Sequence, residues 1–193
     1  IGQAEARLSH QANGTTLDRR VNCRDHHSAI GVIVESLCDA KCGVITSSGE
    51  IDGVGHRVVH GGEEFKISTL ITGRVIRSIE KFSELAPLHN PPSLAGIKAC
   101  RALLKGIPQV AVFDTSFHQT MAPTTFLYGI PLEYYKKYGI RKYGFHGTSH
   151  RFVAAAAARR LGRPLASLKI ITCHLGNGCS MAAVDRGKSV DTT

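Results

Sequence analysis

The chain has 193 residues, 42% of them hydrophobic and 20% charged, ordinary usage for a protein that buries a core. That balance excludes a mostly disordered chain, and no apolar run approaches the roughly eighteen residues that a membrane-spanning helix needs. With 24 Lys and Arg against 15 Asp and Glu, the formal charge of +9 favours anionic partners: nucleotide phosphates, carboxylates or nucleic acid.

Taken in order, the chain alternates strands and helices. Ile1-Gly2-Gln3-Ala4-Glu5 has neither the basic nor the apolar region of a secretory signal and no initiator Met, so a piece of a longer protein is expected. Asn13-Gly14 between the runs Glu5 to Gln11 and Thr16 to Asn22 predicts a hairpin. Asp25 is placed to cap a helix bearing Ile30, Ile33, Val34 and Leu37. Ile51 to Val59 and Ile67 to Ile71 read as strands, and Thr72 caps a helix with Val75, Ile76, Ile79 and Phe82. Pro87 to Pro92 reads as a stiff turn, followed by a helix from Ser93 that carries Leu94, Ile97, Cys100, Leu103 and Leu104. Gln109 to Asp114 is a short strand buried on both faces.

Beyond Asp114 the texture becomes turn-rich, with one short helix near Leu132 to Tyr138. A helix from Thr148 or Ser149 runs through Ala158 and is closed by Gly162-Arg163-Pro164. Leu168 to His174 and Cys179 to Asp185 form a second hairpin, and Lys188 to Asp191 a third short strand. The two hairpin-containing halves divide near residues 114–119.

Six cysteines, with no C-x-x-C pair, sit in apolar runs, as expected of free thiols in a reducing compartment such as the cytoplasm and not of a metal site. The densest basic run, Tyr135 to Tyr143, interleaves tyrosines. A stacking surface for single strands fits it, but a solvated helix end with a basic last turn is the expectation, without nucleic acid.

Four clusters carry candidate chemistry. In His56-Arg57-Val58-Val59-His60-Gly61-Gly62, alternation puts Arg57 and Val59 on one face. A guanidinium beside an apolar residue and glycines suits a carboxylate or phosphate, though an exposed edge-strand Arg fits equally. Leu88-His89-Asn90 is a rigid polar loop or simply a structural turn. Asp114 lies just past a strand end, where ligands gather in α/β sheets, yet could equally cap a helix. Gly144-Phe145-His146-Gly147-Thr148-Ser149-His150 leads into a helix, and the glycines flanking His146 leave backbone N–H groups for an anion. His174-Leu175-Gly176-Asn177-Gly178 forms a second glycine-rich bend able to hold phosphate oxygens. A plain tight turn is the alternative for each, and the pair together points to phosphate.

HRVVHGG at 56–62, APLHNPPSLAGI at 86–97, VAVFDTSFHQTMAP at 110–123, RKYGFHGTSHRFV at 141–153 and HLGNGCSMAAV at 174–184 resemble, in order, the acetate kinase family. The likeness covers residues 25–193. It implies an α/β architecture of two ribonuclease-H-like (actin-like ATPase) domains, a first at 1–116 lacking its opening strands and a truncated second at 117–193. It implies reversible transfer of the ATP γ-phosphate to acetate, giving acetyl phosphate and ADP, with Mg²⁺ or Mn²⁺ and in a homodimer. Propionate is the alternative acceptor, and a truncated non-catalytic binding or structural module is another reading.

By the same resemblance, Arg57 matches the arginine that contacts acyl substrate and transferring phosphate. Asp114 matches an acidic residue near metal and phosphate, and His146 the histidine that stabilises the phosphoryl group in transfer. Val59, Leu88 and Phe145 match the apolar substrate pocket. His174, Leu175, Gly176, Asn177 and Gly178 fall in the second phosphate-binding turn. The family's first phosphate turn and the segments beyond Asp191-Thr192 have no counterpart here, so the 193 residues alone are expected to be inactive. Because the acceptor carboxylate, with a pKa of about 4–5, is already ionised at neutral pH, no general base is needed. Asp114 is therefore expected to orient a metal or histidine.

Overall fold

The computed structural model describes residues 6–193. Strands β1 (Ala6–Ala12) and β2 (Thr15–Val21) pair antiparallel, turning at Asn13 (φ 51°) and Gly14 (φ 76°). Both turn residues are left-handed, as a two-residue hairpin requires. Glu5, expected in the first strand, lies outside the described residues. Helix α1 (His26–Leu37) begins where the sequence places it: the Asp25 carboxylate accepts the Ser28 N–H at 2.8 Å and completes a capping box. It packs on α3, a helix spanning Asn90–Leu103.

Three strands, β3 (Val54–Val58), β4 (Thr69–Leu70) and β5 (Gln109–Phe113), form a sheet ordered β3-β5-β4, with β3 parallel and β4 antiparallel to the central β5. The expected strands at 51–59 and 67–71 are thus shorter than their apolar runs. Helix α2 (Gly73–Lys81) is capped by the Thr72 hydroxyl, as expected. It packs with α3 around Val58, Phe65, Val75, Ile79, Leu94, Ile97, Ala111 and Phe113. Phe65 and Phe113 stack at 4.3 Å in this core. Each fully buried large side chain here contributes about 2–3 kcal/mol of burial free energy.

Helix α3 corrects the sequence reading. It starts at Asn90, not Ser93, and absorbs Pro91 and Pro92 into its first turn. Prolines are tolerated there because the first N–H groups of a helix have no intrahelical acceptor.

A 3₁₀ turn at Ser116–Thr120 leads to helices α4 (Pro123–Phe126) and α5 (Leu132–Tyr138). The sequence reading had only the latter, since four residues carry no periodic signal. Lys136 and Lys137 occupy the last turn of α5, as expected of a solvated basic helix end. Helix α6 (Gly147–Arg160) then packs on a second sheet, the antiparallel meander β6 (Lys169–Leu175), β7 (Cys179–Asp185) and β8 (Lys188–Thr192). Phe117, Ala154, Ala182 and Val184 form its core.

Arg141 is 6% exposed and pairs with Glu63, its guanidinium 3.5 Å from the centre of the Phe126 ring. This contact fixes the segment entering α6 against the loop that follows β3. No described helix is long and apolar enough to cross a membrane.

Candidate active site

The site is assembled where β3, β5, the start of α6 and the β6–β7 turn converge. Alternation along β3 sends Val58 and, just beyond the strand, His60 into the core, and Arg57 and Val59 to the other side. Asp114 sits one residue past β5, 1% exposed. Arg57 donates to it through Nε (3.0 Å to Oδ1) and Nη2 (2.7 Å to Oδ2). This bidentate pair raises the Arg57 pKa further, chiefly through the hydrogen bond to Asp114. Two of the five guanidinium N–H groups are used in the pair, leaving three for a ligand.

Asp114 also organises the start of α6. Its Oδ2 accepts the His146 N–H at 3.3 Å and its carbonyl accepts the Gly147 N–H at 3.1 Å. His146 holds a left-handed backbone, φ 54°. The expectation that the backbone N–H groups beside His146 stand free for an anion is therefore corrected for these two: both are committed to Asp114. Close approach explains Gly147, where an added Cβ would collide with the Asp114 carbonyl oxygen and lie 2.8 Å from Phe117 Cβ. The helix correspondingly begins at Gly147 rather than at Thr148 or Ser149.

Two adjoining cavities open here. One, about 440 Å³, is walled by Val59, the 85–88 segment and Phe145, with Arg57, Asp114 and His146 on its polar side. Leu88 is 82% exposed and forms a rim rather than a packed wall. The other, about 830 Å³, is lined by Thr148, Ser149, Phe152, His174 and Asn177. Arg57, His89, Asp114, His146 and Gly178 line both. An apolar recess thus meets a polar one across a guanidinium and an imidazole. Of the residues singled out in the sequence, Leu175 and Gly176 line neither cavity; Gly176 N–H instead closes the turn onto the Gly178 carbonyl at 3.0 Å.

Histidines dominate the electrostatics. His146 and His174 stack at 4.1 Å between ring centroids, 16° from parallel. Burial, then the His174 ring, and also the Arg57 cation push the His146 pKa down, against an opposing pull from Asp114. The neutral ring is therefore the form favoured near pH 7. His174 Nδ1 lies 2.9 Å from Ser149 Oγ. His118, 1% exposed with its pKa pushed down to about 4 by burial, sets Nε2 3.0 Å from the Phe145 carbonyl and so holds the loop before His146.

The sequence places His150 in the same cluster as His146 without giving it a role, and it gives no sign of Ser180 or Thr172; all three are buried side chains that continue from His146 into the protein. The i, i+4 spacing of His146 and His150 was an available signal. It did not reveal Ser180, which reaches both rings from β7, 30 or more positions along the chain. Asn90, 0% exposed, was read as part of a turn. Its side chain accepts the His60 N–H (3.1 Å) and donates to the carbonyls of His60 (3.0 Å) and Ile79 (3.3 Å), pinning the loop after β3 to α3.

The acetokinase family model matches residues 1–193, extending the likeness through the N-terminal hairpin. An acetate kinase of Halothermothrix orenii is 63% identical over 169 residues, 88% of this chain and 42% of the relative. One of Thermoanaerobacterium thermosaccharolyticum is 55% identical over 193 residues, all of this chain and 48% of the relative. The crystal structure of Porphyromonas gingivalis acetate kinase superposes with a TM-score of 0.91 at 46% identity, and that of a Francisella tularensis propionate kinase with 0.91 at 39%. Both cover 100% of this chain and 48% of the solved one. The chain spans a little under half the length of these relatives, and its α/β architecture is that of their actin-like ATPase fold. Matched end to end by the family model and more than half identical to curated acetate kinases, the chain belongs to the acetokinase family.

Proposed function

We propose that the protein carrying this chain is an acetate kinase, transferring the ATP γ-phosphate reversibly to acetate to give acetyl phosphate and ADP. The observation that carries this reading is the Arg57–Asp114 fork at the junction of an apolar recess and a polar, glycine-edged one. Acetate fits the first, its methyl toward Val59 and Phe145 and its carboxylate toward Arg57. The phosphates fit the second, beside His174, Asn177 and Gly178.

In this reading Arg57 and His146 do electrostatic work. The acceptor is already an anion, so nothing need remove a proton. The difficulty is bringing two anions together in line, and fixed donors on the equatorial oxygens lower that cost. Asp114 holds the Arg57 fork and, through the His146 N–H, the imidazole. The division at 116/117 is proposed to separate an acetate-side from a nucleotide-side domain.

The residues described here do not build a resident metal site. No group of three or more His, Cys, Asp or Glu among them could hold an ion, and both Asp114 oxygens are engaged by Arg57 and His146. A Mg²⁺ or Mn²⁺ ion would instead arrive on the phosphates of ATP, as such ions commonly do. Cytoplasmic placement is proposed on the strength of six free cysteines, and a homodimer on the family likeness.

The test is acetate-dependent ADP release by the intact protein, with propionate in competition. A preference for acetate in kcat/KM supports the reading. A preference for propionate assigns the other family activity, which the Francisella tularensis neighbour keeps in view. One methylene in an apolar recess is worth about 1–3 kcal/mol, so the preference is measurable either way. Absence of carboxylate-dependent turnover with both acids refutes the assignment.

A further inference from the structure

Residues 141–146 belong to no helix or strand, so neighbouring side chains must set their path. The peptide unit that joins Phe145 to His146 is gripped at both ends. His118 Nε2 lies 3.0 Å from its carbonyl oxygen, and its N–H donates to Asp114 Oδ2 at 3.3 Å. A carbonyl can only accept, so the His118 proton sits on Nε2. Burial keeps that ring neutral, and its Nδ1 then accepts from Ser189 Oγ at 2.8 Å. Ser189 is 0% exposed on β8, and its carbonyl accepts from Thr120 Oγ1 at 2.7 Å. The clamp therefore runs from the 3₁₀ turn and β8 to the edge of the site. Gly144 leaves room for it, since a Cβ there would collide with the His118 ring.

What the clamp holds is a strained conformation. His146 has φ 54°, a left-handed backbone that a residue with a Cβ adopts rarely and at a cost. A peptide unit is planar, so fixing its oxygen and its hydrogen fixes its orientation. That orientation sets ψ of Phe145 and φ of His146 together. Phe145 on one side of the unit walls the apolar cavity, and His146 on the other lies at the polar side of the same cavity. With the carbonyl released, the unit can rotate and let His146 relax to negative φ, which moves both side chains. Asp114 by itself holds only one end, and by the longer of the two bonds.

We propose that His118 is a positioning residue for phosphoryl transfer: together with Asp114 it pins the Phe145–His146 peptide unit, holding His146 left-handed and setting the acyl-side wall and the imidazole in one geometry. Its bearing on transfer rests on the acetate kinase reading; the pinned peptide unit does not.

The experiment compares His118→Gln with His118→Met in the intact protein. The two side chains match in length, but only Gln can donate to the Phe145 carbonyl. His118→Met should lower kcat by up to about 100-fold, the cost of a 1 Å misplacement, and raise KM for acetate while KM for ATP holds. His118→Gln should recover most of both losses. A variant that is merely part-unfolded loses apparent kcat with both KM values unchanged. Amide exchange followed by NMR should show the His146 N–H exchanging faster in His118→Met and near the wild-type rate in His118→Gln. Wild-type constants in His118→Met, a fall in kcat alone, or a His118→Gln no better than His118→Met overturns the proposal. If His118→Met does not fold, Ser189→Ala, which removes only the hydroxyl steadying the His118 ring, carries the test. It should move the same constants the same way in smaller measure, and unchanged constants overturn the proposal. If the intact protein shows no carboxylate-dependent turnover, the functional reading falls, and the His146 exchange rates still decide the clamp: equal rates in the two His118 variants overturn it.

Discussion

Arg57 and Asp114 form a two-pronged ion pair whose partners live in different solvents: the arginine side chain is 62% exposed and the aspartate 1%. The asymmetry follows from position. Asp114 lies just past the central strand, bound to the start of α6, while Arg57 reaches it from the edge of the cavity.

Removing one partner is therefore not equivalent to removing the other. Arg57→Ala strands a buried carboxylate and should cost about 3 kcal/mol of stability, at the low end for a broken buried pair because the His146 N–H remains. The double variant Arg57→Ala/Asp114→Asn should recover most of that loss, since a neutral amide is far less costly to bury than an unpaired carboxylate. Urea unfolding of the three proteins checks this. A double variant no more stable than Arg57→Ala would mean the carboxylate is not the source of the cost.

Gly147→Ala should lower activity far more than stability. The added methyl meets the Asp114 carbonyl and Phe117, both fixed by the core, so the start of α6 must shift. Overpacking of this kind costs about 1–3 kcal/mol. The accompanying displacement of His146 should reduce kcat about 100-fold, because transfer in line depends on placement within about 1 Å. Comparing kcat with the urea midpoint separates the two effects; equal, proportionate losses would contradict the expectation.

Asn90→Ala should destabilise by about 3 kcal/mol, since it leaves the His60 N–H and the His60 and Ile79 carbonyls without a partner in a dry interior. Urea denaturation measures the loss. An effect below about 1 kcal/mol would show that water reaches these groups.

Acid should weaken the fold above the range where most carboxylates titrate. Burial pushes His60 and His118 from 6.5 down to about 4. Between those values the unfolded chain binds a proton at each ring and the native protein does not. Stability is therefore complete above about pH 6.5 and falls as the pH drops toward 4. His60→Asn, which can still accept the Gly62 N–H that His60 Nδ1 takes at 3.0 Å, should flatten this slope in a series of unfolding midpoints. An unchanged slope would remove His60 from the account.

Local elements were legible because their signals are local. Asp25 with Ser28, Thr72 before Val75, and Asn13-Gly14 each act through neighbouring backbone, and the structure follows them. The start of α3 was misplaced because two prolines imitate a turn when only sequence is considered, whereas the first turn of a helix, whose N–H groups have no intrahelical acceptor, accommodates them equally well. The candidate site residues within the five motifs were recognisable as letters, and most of those candidates line one pair of cavities. Leu175 and Gly176 do not, because alternation along β6 and closure of its turn point them away.

By itself the amino-acid order determined the alternating strands and helices, the capped helix starts and the polarity of each face of β3, all consequences of spacing along one segment, and its five motifs in order carried the family likeness. Only the tertiary structure decided that Asp114 grips both Arg57 and the start of α6, and that Ser180 stands between His146 and His150. Those contacts join residues up to 57 positions apart. Their partners are chosen by how helices and sheets pack, and no periodicity within a single segment encodes that choice.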